Sequence, residues 1–515
     1  MNIKDAILQL AQRADKNDDS TLVSTFVQVG AVMPLLLSKN NHILFGRRGT
    51  GKTHVLKYLK KAIEDSNEIA LYIDMRLLGS SNSIYSNSNI PIEQRTLRLL
   101  SDVIKEIHDG ILNYLVAHEA CHEFLSEIGP LLRDLVSYAN EERISGMSTI
   151  KTGITLSEEK SIGASCSITS YPNLGLLGKS GKRNQQAIEE THSGYSEPYV
   201  DFQSIYACLD RIMNKLAPRK LWVLVDEFSE VEPDLQVYLA DLFKRVFSPN
   251  NKIFFKIAAI EHRSCFIYHT ENGGYRGLEI GADVASCNLD NYLVFGNNEA
   301  SACRFYRELL HGHVNSILNE GDRIKTSDEL IGTLFTQENV FVELVDAAEG
   351  VPRDAFNILS TAITIDYDNK ISIPTLRKAA RQWYVQDKQK NVDAYKGAYG
   401  FLSWIIDVVI NKRHAKAFLL KSGVQHELIN YLYDARILHI IKQSISGRDI
   451  PGERYDVYSI DFGCYCDLIN TAKQPKGLFS AVPEDREEEV FVDVPKDDYR
   501  SIRRAILNLE ECPYL

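Results

Sequence analysis

Two spacings of apolar residues alternate along this chain. Short runs that are almost wholly apolar and stop on a polar or glycine-rich segment predict strands, whereas apolar positions recurring every three or four residues predict amphipathic helices. The strand-like runs are Asn41 to Phe45, Glu68 to Asp74, Lys220 to Glu227 and Asn251 to Ile260. Their near-continuous Ile, Leu, Val and Phe is the composition of parallel strands covered on both faces. Helical spacing runs from Met1 to Arg13, from Leu22 to Leu37, through two or three helices between Pro91 and about Asn140, and over Asp201 to Leu216, Leu330 to Ala348 and Asp354 to Ala362. Ile150 to Ser157 and Ser161 to Thr169 alternate like a polar hairpin ahead of a Gly/Lys/Ser/Asn-rich stretch, which predicts an exposed insertion.

One strand-to-helix junction carries chemistry. Gly46, Arg47, Arg48, Gly49, Thr50, Gly51, Lys52 and Thr53 fit G-x-x-x-x-G-K-[ST] between the first apolar run and an amphipathic helix through Val55 to Leu59. In that pattern backbone N–H groups wrap a phosphate chain and the helix N-terminus adds its dipole. The glycines allow conformations that a Cβ would block, Lys52 reaches the β- and γ-phosphates, and the Thr53 hydroxyl ligates Mg²⁺. ATP and Mg²⁺ are therefore the expected ligands. The alternative, a glycine-rich turn holding nothing, is disfavoured by the strand before it and the helix after it.

Bulk properties narrow the class. A chain of 515 residues exceeds a single core and predicts two to four domains. With 44% apolar and 25% charged residues it has no apolar run near the length of a membrane span, and Met1 to Arg13 lacks the apolar stretch of a secretory signal. Nine cysteines in no framework suit a reducing compartment, so a cytoplasmic location is expected. A formal charge of −11 excludes the whole molecule as a nonspecific polyanion binder, so any nucleic-acid contact must come from a local basic patch.

Further along, Lys220-Leu-Trp-Val-Leu-Val-Asp-Glu227 is a buried strand delivering two carboxylates to the crevice at its C-terminal end. Asp226 is the candidate for holding Mg²⁺ through water and Glu227 the candidate general base. Some 170 residues separate Lys52 from Asp226, so the helices and hairpin between them read as an insertion into a smaller core. The polar end of the next strand, Glu261-His262-Arg263-Ser264, is placed to touch the γ-phosphate or its water, and Arg353 in Gly350-Val-Pro-Arg353 opens a helix that could fold over the nucleotide as a lid.

This ordered set, Gly46 to Thr53, Asp226-Glu227, residues 261 to 264 and Gly350 to Arg353, resembles an AAA+ ATPase, most like the initiator branch of origin-recognition and helicase-loading ATPases. It is also similar to bacterial ATPases of this type found in mobile-element and anti-phage defence clusters. The resemblance implies an α/β nucleotide core with a parallel sheet, a helical lid, a C-terminal winged helix, and ATP bound between subunits or partners. It makes Arg353 the sensor 2 arginine, and Arg263 or Arg276 the arginine finger. Two departures stand out: the long insertion and the lack of an evident sensor 1 Asn or Thr. The implied division is a helical lead-in over 1–40, the core over 41–300 with the insertion at about 80–200, the lid over 301–395, the winged helix over 396–475 and an acidic tail over 476–515.

The C-terminal part supports the last expectation by its own pattern. Gly397 to Arg413, Ala415 to Ser422 and Gln425 to Ala435 read as three helices, and Ile437 to Ile441 and Tyr455 to Asp461 as a wing about the turn Ser446 to Gly452. Lys412, Arg413 and Lys416 lead a set of seven basic residues, completed by Lys421, Arg436, Lys442 and Arg448, against only Glu427 and Asp434, so this module is the candidate DNA contact. Winged helices also dock proteins, which keeps a separate effector as the alternative partner. Glu484 to Asp498 holds eight acids and two bases and reads as a segment that packs on or masks a basic surface. His118-Glu119-Ala-Cys121-His122 matches H-E-x-x-H, which on one helix face could bind Zn²⁺, but no third ligand follows by spacing, and two partly exposed histidines are the expectation. Together these readings point to an ATPase acting as an assembly switch or DNA remodeller in a homo-oligomer or with an effector, against a non-hydrolysing signalling scaffold.

Overall fold

The computed structural model describes residues 2–10, 17–78, 85, 87, 89–145, 148–151, 189–192, 195–270, 273–294, 299–424, 426–446, 453–468, 479–481, 490–492 and 506–514. Strands His42–Phe45 (β1), Ile69–Asp74 (β2), Leu221–Asp226 (β3), Ile253–Ala259 (β4) and Ala285–Asn288 (β5) form one parallel sheet in the order β5-β1-β4-β3-β2. Four of the five were predicted. The fifth, Ala-Ser-Cys-Asn, is too short and polar to stand out, and two of its four residues are exposed. From β1 the chain crosses to one flank and later returns to the other, so the strand order reverses at β1, where ligands of open parallel sheets bind. Register brings the strand ends level: Phe45 lies opposite both Ala259 and Asn288, and Asp74 opposite Asp226.

Both faces of the sheet are covered. Ile43, Phe45, Val223 and Val225 face one core and Leu44, Trp222 and Leu224 the other, as strand alternation requires. The first core takes in part of the expected insertion. Leu99, Val103, Ile107 and Ile111 of the helix Ile92–Ala117 are buried among the sheet's own residues, so this helix belongs to the main core. Ile150 pairs with Glu190, and the rest of the expected hairpin, residues 152–169, lies outside the described residues. The Gly/Lys/Ser/Asn-rich part of that stretch and most of the acidic tail lie outside the described residues.

A third core unites the helical lid with the C-terminal module, and the N-terminal helix Ile3–Gln9 contributes Ala6 and Ile7 to it. In the C-terminal module Ala417–Lys421 is a strand (β6), not the expected helix, and pairs antiparallel with Arg454–Ile460 (β8), which also pairs with Leu438–Ser446 (β7). Four consecutive apolar residues fit either state by pattern alone. The partner strand decides, placing Phe418 and Leu420 on the large core and Ala417 and Leu419 on a small one. The module keeps the strand, helix and wing order of a winged helix with one helix fewer, Glu427–Asp434 being the helix between β6 and β7. No helix among the described residues is long and apolar enough to cross a membrane.

Candidate nucleotide-binding site

Between β1 and the helix Lys52–Asp65 (α1) the chain turns through Gly49 and Gly51 at φ 88° and 99°, a region where a Cβ is costly. At Gly49 space is limiting as well, since a Cβ there would sit 2.8 Å from the Cβ of Arg353 and 3.1 Å from Val351 Cγ1. The Arg353 amide donates to Gly49 O at 3.3 Å, so the lid rests directly on the loop. Lys52 Nζ donates to the carbonyls of Gly46 and Arg47 at 2.8 and 3.1 Å. Burial lowers its pKa, while Glu227 and Asp226 act to hold the charge.

A cavity of about 400 Å³ opens on this loop, within the range of small-molecule sites. Arg48, Gly49 to Thr53, Arg76, Glu227, Glu230 and Arg353 line its polar part, and Leu22, Phe26, Val27, Phe305, Leu309 and Phe356 contribute an apolar part. Arg48 pairs with Glu230 at 2.5 Å. The cavity thus brings Lys52, Thr53, Glu227 and Arg353 together from three separate elements.

Asp226 sits behind that lining, fully buried. Its Oδ2 accepts from Tyr72 Oη at 2.6 Å and its Oδ1 from the Glu227 amide at 2.8 Å. Each oxygen retains a lone pair, so the carboxylate fits a Mg²⁺ held through water better than one ligated directly. Among the described residues no group of three His, Cys, Asp or Glu could hold a metal by itself. Glu227 adopts φ 54°, a strained conformation for a residue with a side chain. Burial, then the Asp226 charge, raises its pKa, which suits a general base. Arg76 Nη1 stands 4.0 Å from Glu227 Oε1 while its other nitrogens grip Asp74.

Other predicted residues lie elsewhere. None of residues 261 to 264 lines the cavity. Glu261 accepts from Asn288 Nδ2 at 3.0 Å, the His262 ring meets Tyr433 edge-on, Arg263 Nε lies 3.5 Å from Asp434 Oδ2, and Ser264 bonds Ser229. Arg276 stacks on Tyr238. In the C-terminal set Lys412 pairs with Asp407, Arg413 donates to Ile506 O, Lys416 lies 3.9 Å from Asp346, and Arg436 is buried against Asp354 and Asp387. The six of these seven cations that are described therefore do not form one free face. His118 and His122 are not on one helical face. The helix stops at Ala117, and each imidazole bonds a backbone carbonyl at 2.8 Å, of Tyr114 and Val116.

Sequence reasoning missed what holds the loop from behind. Arg47, 1% exposed, gives Nε to Asp290 Oδ1 at 2.8 Å, while its amide donates to Asp290 Oδ2 at 3.0 Å. Its guanidinium also reaches His439 Nδ1 at 2.6 Å and the carbonyls of Glu349 and Leu438. His439 meets Asp461, and Asp461 meets Lys388, which reaches Asp354 beside Arg353. Burial opposes the charge on Asp461, yet Lys388 and His439 hold it down to about 2. One buried polar chain thus joins phosphate loop, lid and C-terminal module. The only signal for it was arginine at a position the motif leaves free.

Comparison with known proteins gives a short match and a distant one. Residues 10–63 match the family model described as ORC-CDC6-like, a span covering most of the lead-in, β1, the phosphate loop and most of α1. The initiator-type AAA+ resemblance therefore has the support of a family model over the segment that holds the phosphate loop. No curated protein matches the chain. Among solved structures, the Aeropyrum pernix ORC1 protein in complex with DNA aligns over 88% of this chain and 96% of that one, at 12% identity and a TM-score of 0.31.

Proposed function

We propose that this chain binds ATP with Mg²⁺, hydrolyses it, and works as a nucleotide-driven assembly switch of AAA+ initiator type. The observation that carries the reading is the convergence of Lys52, Thr53, Glu227 and Arg353 on one cavity. Amides of Gly49 to Thr53 and the dipole of α1 grip the phosphates, and Lys52, freed from the carbonyls it now meets, neutralises them. Mg²⁺, held by Thr53 and through water by Asp226, would supply Lewis-acid stabilisation of the phosphate charge. Glu227 orients and deprotonates water, and Arg353 ties the lid to the γ-phosphate. Because Arg353 opens the helix that packs on Gly49, filling the cavity favours one lid position, and hydrolysis removes that preference.

The test is a pair of variants read by calorimetry and phosphate release. Lys52→Ala should abolish ATP binding, and Glu227→Gln should keep binding while slowing turnover about 10²-fold or more. Unchanged affinity in the first variant would remove the site assignment. A second reading, a non-hydrolysing scaffold that recruits a separate effector, is favoured by Arg76 beside Glu227 and by residues 261 to 264 facing away from the cavity. It expects nucleotide carried unhydrolysed through purification. As the target of the switch we place DNA contact at Lys412, Arg413 and Lys416, to be tested by salt-dependent binding. Homo-oligomer formation, an arginine finger at Arg263 and a part in anti-phage defence rest on the family resemblance.

A further inference from the structure

Away from the phosphate loop the cavity is built mainly from Leu22, Phe26, Val27, Phe305 and Phe356, and the polar side chains contributed there are Asn17, His54 and His313. His54 is the residue after Thr53, and His313 lies on the helix Glu299–Ile317. The two rings meet edge to face with centroids 5.9 Å apart. A backbone carbonyl fixes the tautomer of each. His54 Nε2 lies 2.5 Å from Leu22 O, and His313 Nδ1 lies 2.9 Å from Leu309 O. A carbonyl can only accept, so those nitrogens carry the protons. The opposite nitrogens, Nδ1 of His54 and Nε2 of His313, are then acceptors, and neither has a partner among the described residues. Burial pushes the His313 imidazole down to about 4, so its ring is uncharged near neutrality. His313 is only 8% exposed, so a nearly buried ring carries an acceptor still to be satisfied, and a donor on a ligand would satisfy it.

We propose that His313, with His54 beside it, selects the base of the bound nucleotide, Nε2 of His313 accepting from the 6-amino group of a purine. The inference rests on the proposed nucleotide site and adds its specificity. A 6-keto purine turns an oxygen toward these acceptors, and neither partner then has a proton to give. A site with fixed buried hydrogen-bonding groups rejects such a mismatch more strongly than an apolar pocket rejects a change of shape.

The experiment is calorimetric titration of the full chain with ATP, ITP, GTP and purine riboside triphosphate, in the wild type and in His313→Leu and His313→Gln. The wild type should bind ATP about tenfold or more tighter than ITP, GTP or the analogue lacking the amino group. In His313→Leu that preference should collapse to within about threefold, ATP losing affinity and ITP losing none, and in His313→Gln the amide oxygen should restore part of it. Equal wild-type affinity for ATP and ITP, a measurement that needs no variant, would overturn the inference. So would a preference that survives in His313→Leu. If no triphosphate binds, the nucleotide site itself is refuted; binding without discrimination refutes base selection alone.

Discussion

Replacing Arg47 by Met keeps the length of the side chain and removes the charge that ties the phosphate loop to the rest of the molecule. Both partners of the Arg47–Asp290 pair are almost wholly buried. Among the described residues the variant leaves the Asp290 carboxylate with the backbone amide of residue 47 and Tyr433 Oη, at 3.0 and 3.3 Å, and strips the Glu349 carbonyl of its guanidinium donor. Breaking one side of such a pair costs about 3–5 kcal/mol, whereas removing both charges costs far less. Urea unfolding followed by tryptophan fluorescence reads both halves, because Trp222 sits in the sheet while Trp383 and Trp404 pack against the lid and C-terminal core. Arg47→Met should lose about 3–5 kcal/mol, and Arg47→Met with Asp290→Asn should lose at least about 2 kcal/mol less than the two single losses added. A single-variant loss below about 1 kcal/mol, or additive losses, would show that the pair does not hold the loop.

Gly49→Ala combines a positive φ with a Cβ 2.8 Å from Arg353 Cβ. It should weaken ATP binding by about tenfold or more while leaving the sheet's stability near wild type, read by titration and thermal melting. Lys256, buried in β4 with Nζ donating to Ser38 O at 2.9 Å, is pushed by burial down to about 7. Its folded pKa lies below its unfolded one, so the unfolded chain binds the extra proton between about pH 7 and 10. Wild-type stability relative to Lys256→Met should therefore rise by about 1.4 kcal/mol per pH unit across that window, and a flat difference would refute it. His118→Ala and His122→Ala should each change stability by less than about 0.5 kcal/mol, and added Zn²⁺ should leave the melting temperature unmoved. A zinc-dependent rise lost in either variant would restore the metal reading.

The sequence alone determined the features that depend on neighbours along the chain. The phosphate loop needs glycines, a lysine and a hydroxyl at fixed intervals between a strand and a helix, and four sheet strands announce themselves because parallel strands buried on both faces are apolar throughout. Asp226-Glu227 and Arg353 are legible for the same reason, each at the end of an element whose pattern is strong. Contacts between distant segments decided the rest. Ala417 to Lys421 became a strand because β8 offered it a ladder, and the helix Ile92–Ala117 became core because the sheet had an apolar face to cover. Arg263, expected at the phosphates, and Arg436, expected in the basic set of the C-terminal module, turned to carboxylates brought near only by folding. Arg47 shows the division within a single motif. Local backbone geometry places its amide in the loop, but only the packed C-terminal module supplies the carbonyl and imidazole that fix where its charge goes.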